Sequence, residues 1–250
     1  LQQISGVVIT KNEEQNIKDC ILSLQKVATE IIVLDSFSSD RTEQICRDLG
    51  VRFEQHPFDG MIQQKSRVIE MASKSHVLLL DADERLSPEL IEYIECEREG
   101  GLKDAYEFNR LNNYCGKWIR HCGWYPDRKI RLWRKGCVEV VGTNPHDLYV
   151  AREGISVNRT ELDLYHYTYT SIEQHERQII TFSTMAAREA YNKGIRTTLI
   201  ATYVKPAFKF FRDYILKLGF LDGYHGWLVC RMGAHAKRMK YVKLYALQKK

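Results

Sequence analysis

Three times within its first 73 residues the chain follows a short strand-like run with a stretch of helical spacing, and a fourth apolar run comes next. GVVIT (6–10), EIIVLDS (30–36), VRFEQH (51–56) and VLLLDAD (77–83) read as strands. After the first, Ile17, Cys20, Ile21, Leu24 and Ala28 recur as one helix face. After the second, a Ser or Asp of SSDRTEQICRDLG caps a helix whose Ile45 and Leu49 point inward and which Gly50 stops. MIQQKSRVIEMAS (61–73) supplies the third helix. Strands joined through helices of this length require right-handed crossovers and a mostly parallel sheet. The predicted fold class is therefore α/β, a mostly parallel sheet flanked by helices.

In open α/β sheets, ligands bind outside the carboxyl ends of the strands. There the sequence places Thr10, Lys11, Asn12 and Glu13, then Asp35 and Ser36, then Asp81, Ala82 and Asp83. Three polar clusters far apart in sequence are thus expected at one edge. A buried carboxylate is costly unless it is paired or holds a metal. On an extended strand Asp81 and Asp83 would face the same side, roughly 6.5 Å apart. A hard divalent cation between them would remove their repulsion. Mg²⁺ takes only one or two carboxylates and completes its shell with water and phosphates, so a metal–diphosphate site is expected. The plainer alternative is a surface turn leading through Glu84 into the next helix.

From about residue 105 the pattern changes. AYEFNRLNNY, RKIRLWRK and ELDLYHYTY (161–169) read as strands, with the aromatic and basic segment GKWIRHCGWYPDRK between them. After Ser171 the chain turns helical, giving a catalytic-type domain over 1–170 and a helical extension over 171–250. In that extension Val204, Ala207, Phe208, Phe211, Ile215 and Leu218 form an apolar face, with Lys205, Lys209, Arg212 and Lys217 mostly opposite. Net charge is +5, yet residues 193–250 alone carry +11 and the remainder −6. Such a basic block suits an anionic membrane surface, with helices packed on the sheet as the alternative; no nucleic-acid partner is expected. Seven scattered cysteines, with no C-x-x-C spacing, predict reduced thiols in a cytosol. Neither a transmembrane run nor a leader pattern is evident.

VVITKNEEQNI, VLDSFSSDRT and VLLLDADE, in this order and spacing, resemble the A-fold (GT-A, Rossmann-like) nucleotide-sugar transferases of glycosyltransferase family 2. GKWIRHCGWYPDRKIRLWRKG, NPHD, LYHYTY and LGFLDGYHG extend the resemblance to the bacterial lipopolysaccharide-core β-1,4-glucosyltransferase group. It implies a UDP-sugar donor, UDP-glucose above others, a heptose acceptor of the lipopolysaccharide core, inversion, and Mg²⁺ or Mn²⁺. The implied location is the cytoplasmic face of the inner membrane. Thr10, Asn12, Glu13 and Asp35 would hold uracil and ribose, and Lys65 would reach a phosphate; the alternatives are a turn residue capping the next helix for Asp35 and a first-turn charge complementing the helix dipole for Glu13. The family usually shows Gln-Arg-Asn where this chain has Gln64-Lys65-Ser66, and a solvated lysine is the alternative. Asp81, Ala82 and Asp83 would take the diphosphate, with Asp83 and His166 on the metal; a satisfied core histidine is the other reading of His166.

Inverting transfer needs a base to deprotonate the acceptor hydroxyl. Asp147 stands where the family carries His-Glu, and Asp127 is the second candidate, in a Pro-Asp pair that also suits a turn. Arg120, His121, Trp124 and Tyr125 are of the kind that bind an acceptor by stacking on sugar faces and holding anions. A hairpin covering the core would place them equally well. Two rival functions are a silent membrane-docking binding protein and a phospho-receiver using Asp35.

Overall fold

The computed structural model describes residues 2–143 and 146–249, with the side chains of residues 143 and 146 outside the description. Four strands begin the chain: β1 (Ile4–Thr10), β2 (Glu30–Asp35), β3 (Arg52–Gln55) and β4 (His76–Asp81). They pair in parallel in the order β3-β2-β1-β4. Between them run α1 (Ile17–Leu24), α2 (Thr42–Asp48) and α3 (Met61–Met71). The short β5 (Glu84–Leu86) leads into α4 (Pro88–Gly100), whose N-cap Ser87 accepts from the Leu90 amide beside Pro88 at the first helical position.

Residue alternation decides which helix covers which side of the sheet. Ile4, Val8, Ile31, Val33, Leu78 and Leu80 meet α1, α2 and α4. Val7, Ile32, Leu34, Val77 and Leu79 meet Val68 and Ala72 of α3 and its end. Both faces being covered, β1, β2 and β4 are apolar through their centres, whereas the edge strand β3 is polar and partly exposed.

Beyond β4 the sheet turns antiparallel. β6 (Ala105–Tyr114), β8 (Asp127–Arg134) and β11 (Val157–Tyr169) continue the order as β4-β8-β6-β11-β5, and β7 (Lys117–Ile119) pairs with β6. A separate two-stranded ribbon joins β9 (Val138–Thr143) and β10 (His146–Ala151). The sheet is mixed, its parallel part confined to the first four strands.

Where the sequence suggests one boundary at residue 170, the chain forms two interleaved compact units. The first comprises residues 1–110 and 127–166, the second residues 111–126 and 167–250. Residues 111–126 belong with the C-terminal helices because Tyr114, Ile119, Cys122 and Trp124 share their core with Tyr169, Ile179, Leu228, Val229 and Met232. In this second unit α5 (Ile172–Asn192) and α6 (Ala201–Phe211) both pack on α7 (Gly223–Leu247). A π-helical turn (Arg212–Leu216) and a 3-10 turn (Gly219–Asp222) link α6 to α7.

Gly6 lets α1 approach the sheet. A Cβ there would stand 3.2 Å from a Leu24 methyl and 3.3 Å from the Ala28 Cβ. Gly6→Val should therefore destabilise the protein by about 1–3 kcal/mol through overpacking, read as a lowered urea midpoint at unchanged m-value.

Candidate active site

The carboxyl ends of β1, β2 and β4 open on a cavity of about 310 Å³, lined by Thr10, Glu13, Ser36, Asp81, Ala82, Asp83 and His166 among others. Phe58 and Met61 give it an apolar wall. Lys11 braces the first two strand ends, its ammonium donating to the carbonyls of Ser36 at 2.6 Å and Phe37 at 2.9 Å. Inside the rim the Thr10 hydroxyl is buried and finds no hydrogen-bond partner among the described residues. An orphaned hydroxyl in a cavity wall is what a site built for a polar ligand leaves behind.

Asp81 and Asp83 do not share an extended strand. β4 ends at Asp81, and Ala82-Asp83 form a turn before β5. The two carboxylates consequently have different partners. Lys65 Nζ lies 2.8 Å from Asp81 Oδ1 and 2.9 Å from Asp147 Oδ2. Arg131 Nη2 lies 2.7 Å from Asp81 Oδ2 and 2.6 Å from Glu84 Oε1. Arg110 continues the series, 3.4 Å from Glu84 Oε1 and 2.6 Å from Asp127 Oδ2. Charges of alternating sign thus run through α3, β4, β8, β5 and β6. Burial opposes ionisation of Asp81, but Lys65 and Arg131 outweigh it and hold its pKa far below the carboxylate range. Lys65 is 1% exposed, so the solvated-lysine alternative is set aside.

Asp83 instead faces His166, its Oδ2 3.2 Å from the imidazole Nε2. Two adjacent ligands at right angles on an ion at about 2.1 Å stand roughly 3 Å apart, so this carboxylate and imidazole fit a divalent cation. The mixed oxygen and nitrogen donors suit Mn²⁺ better than Mg²⁺. Among the described residues no group of three or more His, Cys, Asp and Glu side chains could hold a metal. The remaining positions would fall to water and a phosphorylated ligand.

Several expected contacts are drawn elsewhere. Asp35 is fully buried and turns back on its own loop, its carboxylate accepting from the Ser38 amide at 2.7 Å and from Gln55 at 3.2 Å. The carboxylate thus closes the turn after β2 without capping α2, whose N-cap is Arg41. Asn12, in the left-handed region at φ 55°, accepts from the Ser39 amide through its side chain and donates its own amide to Ser38. Asp147 and Asp127 both stand in ion pairs, the latter also 3.2 Å from Lys129. Burial works against their charge, but Lys65 for Asp147, and Arg110 and Lys129 for Asp127, leave both pKa values below normal. Arg120, His121, Trp124 and Tyr125 lie in the second unit. There Trp124 packs edge-on against Tyr114 in the apolar core, and Asp222 accepts from both backbone amides of Arg120 and His121.

Arg131, Arg110 and Glu84 were not singled out from sequence as site residues. One signal was present: Arg131 sits between Ile130 and Leu132 in the centre of a strand whose other charged residues lie at its ends. Glu13 was assigned to the nucleotide, yet its acidity is its notable property. Burial chiefly, opposed by a hydrogen bond from Asn16 and reinforced by Asp83, Asp40 and Asp81, raises its pKa to about 7.

Two predictions follow from these environments. Asp81→Asn leaves Lys65 and Arg131 short of a countercharge and should cost about 3–5 kcal/mol of stability. Asp83→Asn should leave the melting temperature nearly unchanged, and thermal unfolding of both variants without nucleotide checks the contrast. For Glu13 the folded pKa lies above the ordinary 4.5. Its contribution is therefore fully present below about pH 4.5 and lost as pH rises through about 7. In chelator, stability should fall by on the order of 3 kcal/mol across that window from this group, and Glu13→Gln should flatten the slope.

Residues 5–117 match Glycosyl transferase family 2. An uncharacterized glycosyltransferase of Rickettsia typhi is 29% identical over 100% of this chain and 89% of its own length. The lipopolysaccharide core biosynthesis glycosyltransferase LpsC of Rhizobium meliloti is 26% identical over 97% of this chain and 92% of its own. Among solved structures, Staphylococcus aureus TarS superposes with a TM-score of 0.50 at 14% identity over 97% of this chain. The chain spans about half, 54%, of that protein. Glucosyl-3-phosphoglycerate synthase from Mycobacterium tuberculosis, in complex with phosphoglyceric acid, gives 0.50 at 16% identity over 79% of this chain and 82% of its own. The fold is thus the GT-A-like α/β architecture with a helical C-terminal extension, and residues 5–117 are similar to the family 2 glycosyltransferases.

Proposed function

We propose that this chain is a metal-dependent inverting glycosyltransferase, moving a hexose from a UDP-sugar, UDP-glucose in the first instance, onto a heptose of the lipopolysaccharide core at an anionic membrane surface. The observation that carries this reading is the approach of Asp83 and His166 to 3.2 Å beside a cavity with an unpartnered Thr10 hydroxyl. The core-biosynthesis role in the name of LpsC favours the acceptor class.

In this mechanism Thr10 and the β1 loop bind the nucleotide, and Asp83 with His166 would hold a divalent cation, whose chemistry would be to offset negative charge on the leaving diphosphate. Asp81 contributes by fixing Lys65 and Arg131 behind the turn. Asp147 is assigned as the base. Paired to Lys65 it is ionised at neutral pH, and an anionic donor competing for that ammonium raises its basicity toward the acceptor hydroxyl. A second reading, Glu13 as base, is favoured by its pKa of about 7 and its place in the cavity wall.

UDP release on mixing donor and acceptor should require Mn²⁺ or Mg²⁺, stop in EDTA and return when the ion is restored; full activity in chelator sinks the metal assignment. Asp147→Asn should keep donor binding and lose about 10²–10⁴-fold in turnover. If Glu13→Gln or Asp127→Asn behaves that way and Asp147→Asn does not, the base is the other residue.

A further inference from the structure

Helix α6 is inside out. The side chains it buries are Thr202 and Pro206, and the turn that extends it buries Asp213. Facing outward are Val204, Phe208, Phe211 and Ile215, between 43% and 60% exposed. Of the 23 large apolar side chains exposed among the described residues, 13 fall between Ile195 and Tyr224. Apolar surface concentrated in this way on a monomer marks an interaction site.

We propose that the outer face of α6 and its π-helical turn docks on an anionic bilayer by inserting these side chains into the headgroup and acyl boundary. This deepens the membrane association proposed above and rests on that part of the reading alone, not on sugar transfer.

Two observations choose the bilayer. No described helix is long and apolar enough to cross a membrane, so a helix of this kind lies in the interface. Residues 193–250 carry +11, which attracts an anionic surface and repels a second copy presenting the same face. The structure also divides the labour differently from the sequence pattern. Lys209 and Arg212 both pair with Asp213, at 2.6 and 2.8 Å, and the Lys205 ammonium sits 4.4 Å from the centre of the Tyr241 ring. Three of the four cations expected to carry the attachment thus have partners within their own unit. Long-range charge draws the unit to the surface, and the apolar side chains hold it there.

The test is flotation of the full chain with phosphatidylcholine vesicles, with and without phosphatidylglycerol, at low and high salt. The wild type should float with the anionic vesicles and stay largely bound as salt rises. The variant Val204→Ser, Phe208→Ser, Phe211→Ser should bind roughly tenfold or more weakly, with unchanged circular dichroism and unchanged transfer to a soluble acceptor. Hydrogen exchange on the wild type supplies a readout that needs no variant: vesicles should protect residues 195–224 and leave 2–110 unaffected. Complete release by salt, equal binding by the variant, or protection elsewhere overturns the assignment of this face. A dimer that forms without lipid and is lost in the variant assigns the face to a second copy instead. Loss of UDP release with intact flotation would refute the enzyme reading and leave this one standing.

Discussion

A lysine with almost no exposure to water holds the first unit together at its site. Lys65 must keep its charge, because Asp81 and Asp147 stand on either side of it, and they must keep theirs because of Lys65. Removing one member of a buried pair strands the other, at about 3–5 kcal/mol. The constraint spreads through Arg131 and Glu84 to Arg110 and Asp127, so that four strands of the sheet, one strand of the ribbon and one helix are registered by charge as well as by apolar packing. Tyr149 lies over both Lys65 and Arg131, at 5.6 and 5.2 Å, and adds a π-face to the same network. With Asp81 committed inward, the turn that follows presents Asp83 outward. Two acids in a three-residue motif are thereby separated into a structural charge and a carboxylate that meets His166 at the cavity wall.

Much of this was legible. Short apolar runs alternating with stretches of helical spacing gave the first four strands, their helices and the edge where polar residues gather, because apolar patterning reports directly on what is buried. Asp83 and His166, 83 residues apart, were paired through the resemblance and are neighbours in the structure. Other matters depend on partners that a linear pattern does not name. Asp81 and Asp83 obey the i, i+2 rule only while the strand lasts, and it stops two residues too soon. Lys65 reads as a surface residue until Asp81 and Asp147 are seen around it. Asp35 has two plausible acceptor roles, and the serine three residues on takes the carboxylate. Asn144 and Pro145, beside the proposed base, lie outside the described residues.

The second unit shows a different limit. Amphipathic spacing in α6 divides the helix into two faces without saying which one is inside. The ordinary rule turns the apolar face inward, but here Pro206 and Thr202 are the buried side chains and Asp213 accepts from both Lys209 and Arg212. Similarly, Trp124 reads as a sugar-stacking residue, yet Tyr114 and Tyr169 enclose it. Aromatic residues near a site can be walls as readily as platforms.

The outward face of α6 also governs how the protein behaves in a test tube. In dilute buffer the surplus of positive charge keeps molecules apart, and colloidal stability is electrostatic. Added salt shortens the reach of that repulsion to about 8 Å near physiological strength and less above it, while salts such as sulfate strengthen apolar association. Solubility should therefore fall as ionic strength climbs, with the fold itself intact. For this chain precipitation and unfolding are separate events, set by opposite ends of the molecule's chemistry.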